Sequence, residues 1–79
     1  MFYDTIQTGG DSLAKNLRMK SARTALDLTQ SELAEIVDVS RQTIVAIEKG
    51  EYNPTIKLCL AICRALNKTL NDLFEEVNL

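Results

Sequence analysis

Apolar positions recur along most of this chain at the spacing of helices rather than strands. Over residues 12–26, Leu13, Leu17, Ala22, Ala25 and Leu26 fall near the 3.6-residue period and predict a first amphipathic helix. Thr29-Gln30-Ser31-Glu32 reads as a capping box. The Thr hydroxyl accepts from an amide N–H of the first turn, and the Glu three places on reaches back to the Thr amide. Leu33, Ala34, Ile36 and Val37 then form the inner face of a short second helix. Asp38-Val39 interrupts the period, and Ser40 caps a third helix whose buried stripe is Ile44, Ile47 and part of Val45. Gly50 closes that helix. Tyr52-Asn53-Pro54 makes a turn, and Thr55 caps a fourth helix running to about Asn67. Ile56, Leu58, Cys59, Leu60, Ile62, Cys63 and Leu66 make it apolar around most of its girth, which predicts a place at the centre of a bundle. Thr69-Leu70-Asn71-Asp72 opens a last short helix with Leu70, Leu73 and Phe74 facing inward.

Residues 1–11 show no helical period and end in Gly9-Gly10. They are expected to form a short flexible N-terminal arm, with a strand over 2–6 as an option. A tag remnant and an arm that pairs in a dimer are equal alternatives. The remainder, 12–79, is expected to be one all-α domain of five helices.

Composition narrows the function more than the fold. Seventy-nine residues suit a single core. Aliphatic side chains supply most of a 46% hydrophobic content, and Trp is absent. No apolar run is long enough to cross a bilayer and no secretory signal opens the sequence, so a cytoplasmic protein is expected, with no membrane partner. Cys59 and Cys63 suit that compartment as free thiols and fit best as small core hydrophobes. The chain has no His. Two cysteines without one do not complete a zinc shell, and the commonest general base is missing. No nucleophile-base pair or phosphate loop is visible either. The expectation is therefore a protein that is not an enzyme and has no cofactor, metal or small-molecule ligand.

A net charge of −2 at first argues against a nucleic-acid partner. Asp4 and Asp11 account for the whole excess, however. From residue 12 onward nine basic residues balance nine acidic ones, so the direction in which they point matters more than their sum.

The segment 30–49, QSELAEIVDVSRQTIVAIEK, holds the most information. Two short helices meet there through a tight turn. Ala34 is small where they approach, and Asp38 takes the turn position that needs a left-handed backbone, which Asp tolerates better than most residues. Val39, Ile44 and Ile47 pin the third helix against the second. Arg41, Gln42, Val45, Ala46 and Lys49 are then left to face outward.

With LTQSELA at 28–34, VSRQTI at 39–44, IEKG at 47–50 and YNPT at 52–55, residues 22–74 resemble the Cro/CI-type (Xre) helix-turn-helix family, with its lambda-repressor-like DNA-binding fold. The likeness covers about two-thirds of the chain. Asp38 departs from it, since the family usually carries Gly there.

The resemblance implies that the third helix, 40–49, enters the major groove of double-stranded operator DNA. Arg41 and Gln42 would then read base edges, and Ala46 would touch a thymine methyl. Side-chain chemistry agrees: Arg bonds two acceptors of guanine and Gln pairs bidentately with adenine. A plain solvated helix face is the alternative for both. Phosphate contacts are expected from Gln30, Ser40, Thr43, Lys49 and Asn53, with Lys57 a weaker candidate. For Ser40, capping alone is the competing reading. Arg23 and Glu48 resemble the family's ion pair between the first and third helices and are assigned to the scaffold.

The implied function is a DNA-binding transcriptional regulator, a repressor on a palindromic operator, acting as a homodimer. The dimer surface is expected from the last helix, the tail and the arm, with Leu70, Leu73, Phe74, Val77 and Leu79 as candidates. For the first three, the domain's own core is the preferred place. The alternative reading is a DNA-binding antitoxin or a protein-interaction module of a toxin–antitoxin pair.

Overall fold

A computed structural model describes residues 15–74 as five helices: α1 (Leu17–Ala25), α2 (Gln30–Val37), α3 (Arg41–Lys49), α4 (Ile56–Leu66) and α5 (Leu70–Phe74). The expectations for an arm over 1–11, a strand over 2–6, Leu13, Val77 and Leu79 lie outside the described residues. The all-α class and the order of elements are as the hydrophobic pattern predicts.

Each helix begins where a side chain replaces a missing backbone acceptor. Thr29 and Glu32 form the full capping box, with bonds of 3.0 and 2.8 Å. Ser40 accepts from the Thr43 amide and Thr55 from that of Leu58. Thr69 and Asp72 exchange the same two bonds at the start of α5. At the C-terminal ends the chain turns through left-handed residues: Asp38 after α2 (φ 62°), Gly50 after α3 (φ 79°) and Asn67 after α4 (φ 58°). The last two turns are sterically cheap for Gly and tolerable for Asn.

The core is a single cluster built on Met19, Leu33, Ile44, Cys59, Ile62 and Leu66, all at most 2% exposed, with Ala34, Ile47, Cys63, Leu73 and Phe74 around them. Burying each large side chain contributes roughly 1.5–3 kcal/mol. α2 packs on both α3 and α4, while α1 and α5 close the other side.

Four expectations need correction. The first helix starts at Leu17 and not at residue 12, because Asn16 takes the cap: its Oδ1 accepts from the Met19 amide at 3.0 Å. That start buries Met19, Ala22 and Arg23, and Leu17 falls on the opposite side, 60% exposed. Leu26 and Ala25 are exposed as well, since the chain leaves the helix there toward a left-handed Asp27. Ile36 is exposed, because it lies about 110° round α2 from the middle of the face made by Leu33, Ala34 and Val37. Finally, α4 is not enveloped. Its neighbours cover the side of Cys59, Ile62, Cys63 and Leu66, leaving Ile56 and Leu60 exposed on its flank.

Candidate nucleic-acid interface

The interface is built from α2, the turn at 38–40 and α3. The turn is tight because Asp38 adopts φ 62°, ψ 49°, which returns the Val39 amide to the Ala34 carbonyl at 3.0 Å. Ala34 is 3% exposed at this close approach, as its small side chain allows.

Successive residues of α3 are rotated by about 100°. Ile44, Ile47 and Glu48 therefore share the buried side, while Gln42 and Lys49 lie exposed on the far side. Val45 and Ala46 are half-buried, less open than the sequence suggests. Arg41 is exposed on the flank nearest α2, where its Nη2 donates to Gln30 Oε1 at 3.2 Å. Thr43 lies half-buried on the other flank, and its hydroxyl is 3.0 Å from that of Ser40.

The buried charges among the described residues are Arg23 and Glu48, at 6% and 7% exposure. Arg23 Nε and Nη2 donate to the two Glu48 carboxylate oxygens at 2.7 and 3.2 Å, and Nη1 donates to the Leu28 carbonyl at 2.7 Å. The pair is thus bidentate and further satisfied, as two charges removed from water require. It fixes the C-terminal half of α3 to α1. Glu48 Oε1 also accepts from Gln30 Nε2 at 3.1 Å. Arg23, Glu48, Gln30 and Arg41 therefore form one polar chain running from the core to the exposed start of α3.

Of the other residues singled out from the sequence, Lys49 stands eight residues beyond Arg41, about 12 Å along the helix axis. Asn53 and Lys57 are exposed in and after the α3–α4 connection. The structure brings Gln30 to Arg41 and Ser40 to Thr43; Lys49 and Asn53 stand apart from these pairs. Leu73 and Phe74 belong to the domain's own core, and Leu70 packs against its edge. Cys59 and Cys63 are buried free thiols, and burial pushes both pKa values up, so neither is an activated nucleophile.

Sequence reasoning missed Asn16. Its backbone N–H donates to the Glu48 carbonyl at 2.9 Å and its Nδ2 to the Leu73 carbonyl at 3.0 Å, besides capping α1. One Asn thereby joins α1, α3 and α5. Its only local signal is that Asn is a favoured cap, and an apolar residue at position 13 obscured it. No helix among the described residues is long and apolar enough to cross a membrane.

Known proteins resemble this chain in sequence and in fold. Residues 19–73 match the family model described as helix-turn-helix. An HTH-type transcriptional regulator of Archaeoglobus fulgidus is 47% identical over 57 residues, 72% of this chain and 80% of that protein. The HTH-type transcriptional regulator YgzD of Bacillus subtilis is 43% identical over 63 residues, 77% of this chain and 96% of the relative. Among solved structures, the restriction-modification controller protein C.AhdI of Aeromonas hydrophila superposes with a TM-score of 0.73 at 30% identity, covering 80% of this chain and 97% of that one. With its capped α2, left-handed turn and outward-facing α3, the chain belongs to the helix-turn-helix family of Cro/CI (Xre) type, a family of DNA-binding transcriptional regulators.

Proposed function

We propose that this regulator acts as a repressor, binding a palindromic operator as a homodimer with α3 of each copy in the major groove. The observation that carries the reading is the far side of α3. Gln42 and Lys49 stand clear of the fold, Arg41 flanks them, and the Arg23–Glu48 pair holds the helix beneath at a fixed tilt.

In this reading Arg41 and Gln42 are the base readers: one donates to guanine O6 and N7, and the other pairs with adenine N6 and N7. Half-buried Ala46 lies one turn beyond Gln42 on the same side, suited to a thymine methyl. Lys49 and Asn53 reach phosphates on either side, and Ser40 and Thr43 offer hydroxyls beside the positive end of α3. Gln30 has one amide proton left for a phosphate after its bond to Glu48. The net charge of −2 does not oppose this, because the contribution of phosphates depends on the cations at the contact.

A single α3 spans few base pairs, so useful selectivity calls for two half-sites about one helical turn, ~34 Å, apart. A dimer seated there excludes other proteins from about two turns of duplex, which makes repression the simple outcome at a promoter. Selection of bound fragments from the source genome at fixed salt tests the reading. The expected result is an inverted repeat with that spacing, bound by two copies. Binding with no sequence preference, or by one copy on an asymmetric site, overturns it.

A further inference from the structure

We propose that Glu48 is a positioning residue for sequence recognition: by taking an amide N–H of Gln30 it turns the Gln30 carbonyl outward, and that carbonyl holds the Arg41 guanidinium for the groove. The proposal deepens the reading above and rests on Arg41 contacting a base.

The chemistry of the four groups admits one arrangement. A carboxylate only accepts and a guanidinium only donates. Gln30 lies between them, with Glu48 Oε1 at 3.1 Å from its Nε2 and Arg41 Nη2 at 3.2 Å from its Oε1. Rotating its amide by half a turn would set oxygen against oxygen at the Glu48 end and N–H against N–H at the Arg41 end. Glu48 is itself buried and held bidentately by Arg23 at 2.7 and 3.2 Å. The orientation set in the core is therefore transmitted through one half-buried side chain to an exposed one. Arg41 is tethered along one edge, and its remaining N–H groups are left for two acceptors on a base. A long side chain that is already oriented loses less freedom on binding, and a bidentate contact is sensitive to its angle.

The test compares binding to a selected site and to its single-base variants at fixed salt, with circular dichroism to follow folding. Arg41→Ala first identifies the base position that Arg41 reads. Glu48→Gln is then expected to relax preference at that same position by about tenfold, within the range of one bidentate contact. The new carboxamide keeps its oxygen on Arg23 Nε, the shorter of the two contacts at 2.7 Å, and gives up the 3.2 Å bond from Arg23 Nη2. Its N–H then faces Gln30, which turns over and withdraws its carbonyl from Arg41. Adding Gln30→Glu to Glu48→Gln is expected to restore the preference. The carboxylate at 30 accepts from the amide at 48 and offers its second oxygen to Arg41, and a merely structural role for Glu48 gives no such rescue. If Glu48→Gln does not fold, Gln30→Met carries the test, since position 30 is half-buried in the first turn of α2; it too is expected to relax the Arg41 position. Equal weakening of all sites by Gln30→Met, or unrestored preference in the folded double variant, overturns the proposal. Should Arg41→Ala itself relax no position, the base-reader assignment fails and the proposal with it.

Discussion

Gln42 is exposed on the far side of α3, with Ala46 one turn beyond it on the same side, half-buried. A side chain so placed costs the fold little when removed, which makes it a clean probe of recognition. Gln42→Ala is expected to weaken binding to the selected site by about 1–3 kcal/mol and to relax preference at one base position, with stability unchanged. Uniform weakening across all sites would remove Gln42 from the readers. Lys49, at the other end of the helix, is expected to behave in the opposite way. Lys49→Ala should weaken binding to every sequence alike and lower the slope of log K against log salt by about one. A titration from low to high salt on two unrelated sequences measures both. At this scale the sequence displayed the polar side chains but not their pairings. That Gln30 would be shared between Glu48 and Arg41 depends on how α2 and α3 meet, and no local pattern encodes it.

At the scale of elements, the caps were legible because each is a local chemical sentence: Thr29 with Glu32, Ser40 with Thr43, Thr55 with Leu58. The faces were less so. Leu17, Ile36, Ile56 and Leu60 are as apolar as the residues that are buried, and only the placement of neighbouring helices separates the two groups. Arg23 shows the converse, a charged residue on the inner face that pattern alone would put outside. Two expectations belong here. Asp38 holds φ 62°, a conformation that Asp tolerates and Gly adopts freely. Asp38→Gly is expected to change stability by less than about 1 kcal/mol in denaturant unfolding, whereas Asp38→Val, β-branched in a left-handed turn, should cost about 1–2 kcal/mol or more. The second concerns acid. The Thr69 amide and hydroxyl, with lesser help from Lys68 and Arg18, hold the Asp72 carboxyl below its usual range. Its pKa is lower folded than unfolded, so the capping contribution is complete above about pH 4 and is lost as pH falls through the lower folded value. The difference in Tm between the native chain and Asp72→Asn should therefore be present at pH 6 and shrink below pH 4. A constant difference would show that the α5 cap is not electrostatic.

For the whole molecule the decisive feature is the buried ion pair, which the resemblance pointed to and the geometry makes explicit. Removing one partner leaves the other charge without compensation in a site of low polarity. Arg23→Met or Glu48→Leu alone is expected to cost about 3–5 kcal/mol, while the double substitution, with neither charge left, should cost markedly less. Chemical denaturation of the three variants tests this, and simple additivity would argue against the pair. A loss of that size is a large share of a small domain's total stability of about 5–15 kcal/mol. The overall topology was readable because five capped, periodic segments with short links leave few ways to bury their faces. Long-range hydrogen bonds such as that from Asn16 to the Leu73 carbonyl, by contrast, have no local sequence signature.

The bonds of Asn16 bear on how the molecule would respond to pulling. Its side chain grips α5 and its backbone grips the end of α3, while the chain leaves toward α1 from the same residue. A load applied between positions 15 and 74 would thus be borne at once by this fastening, before it reaches the α2–α3 pair in the middle of the chain. In an optical-trap experiment the expected first rupture is loss of the α1–α5 seam, and Asn16→Ala should lower the force at which it opens while the recognition unit stays intact.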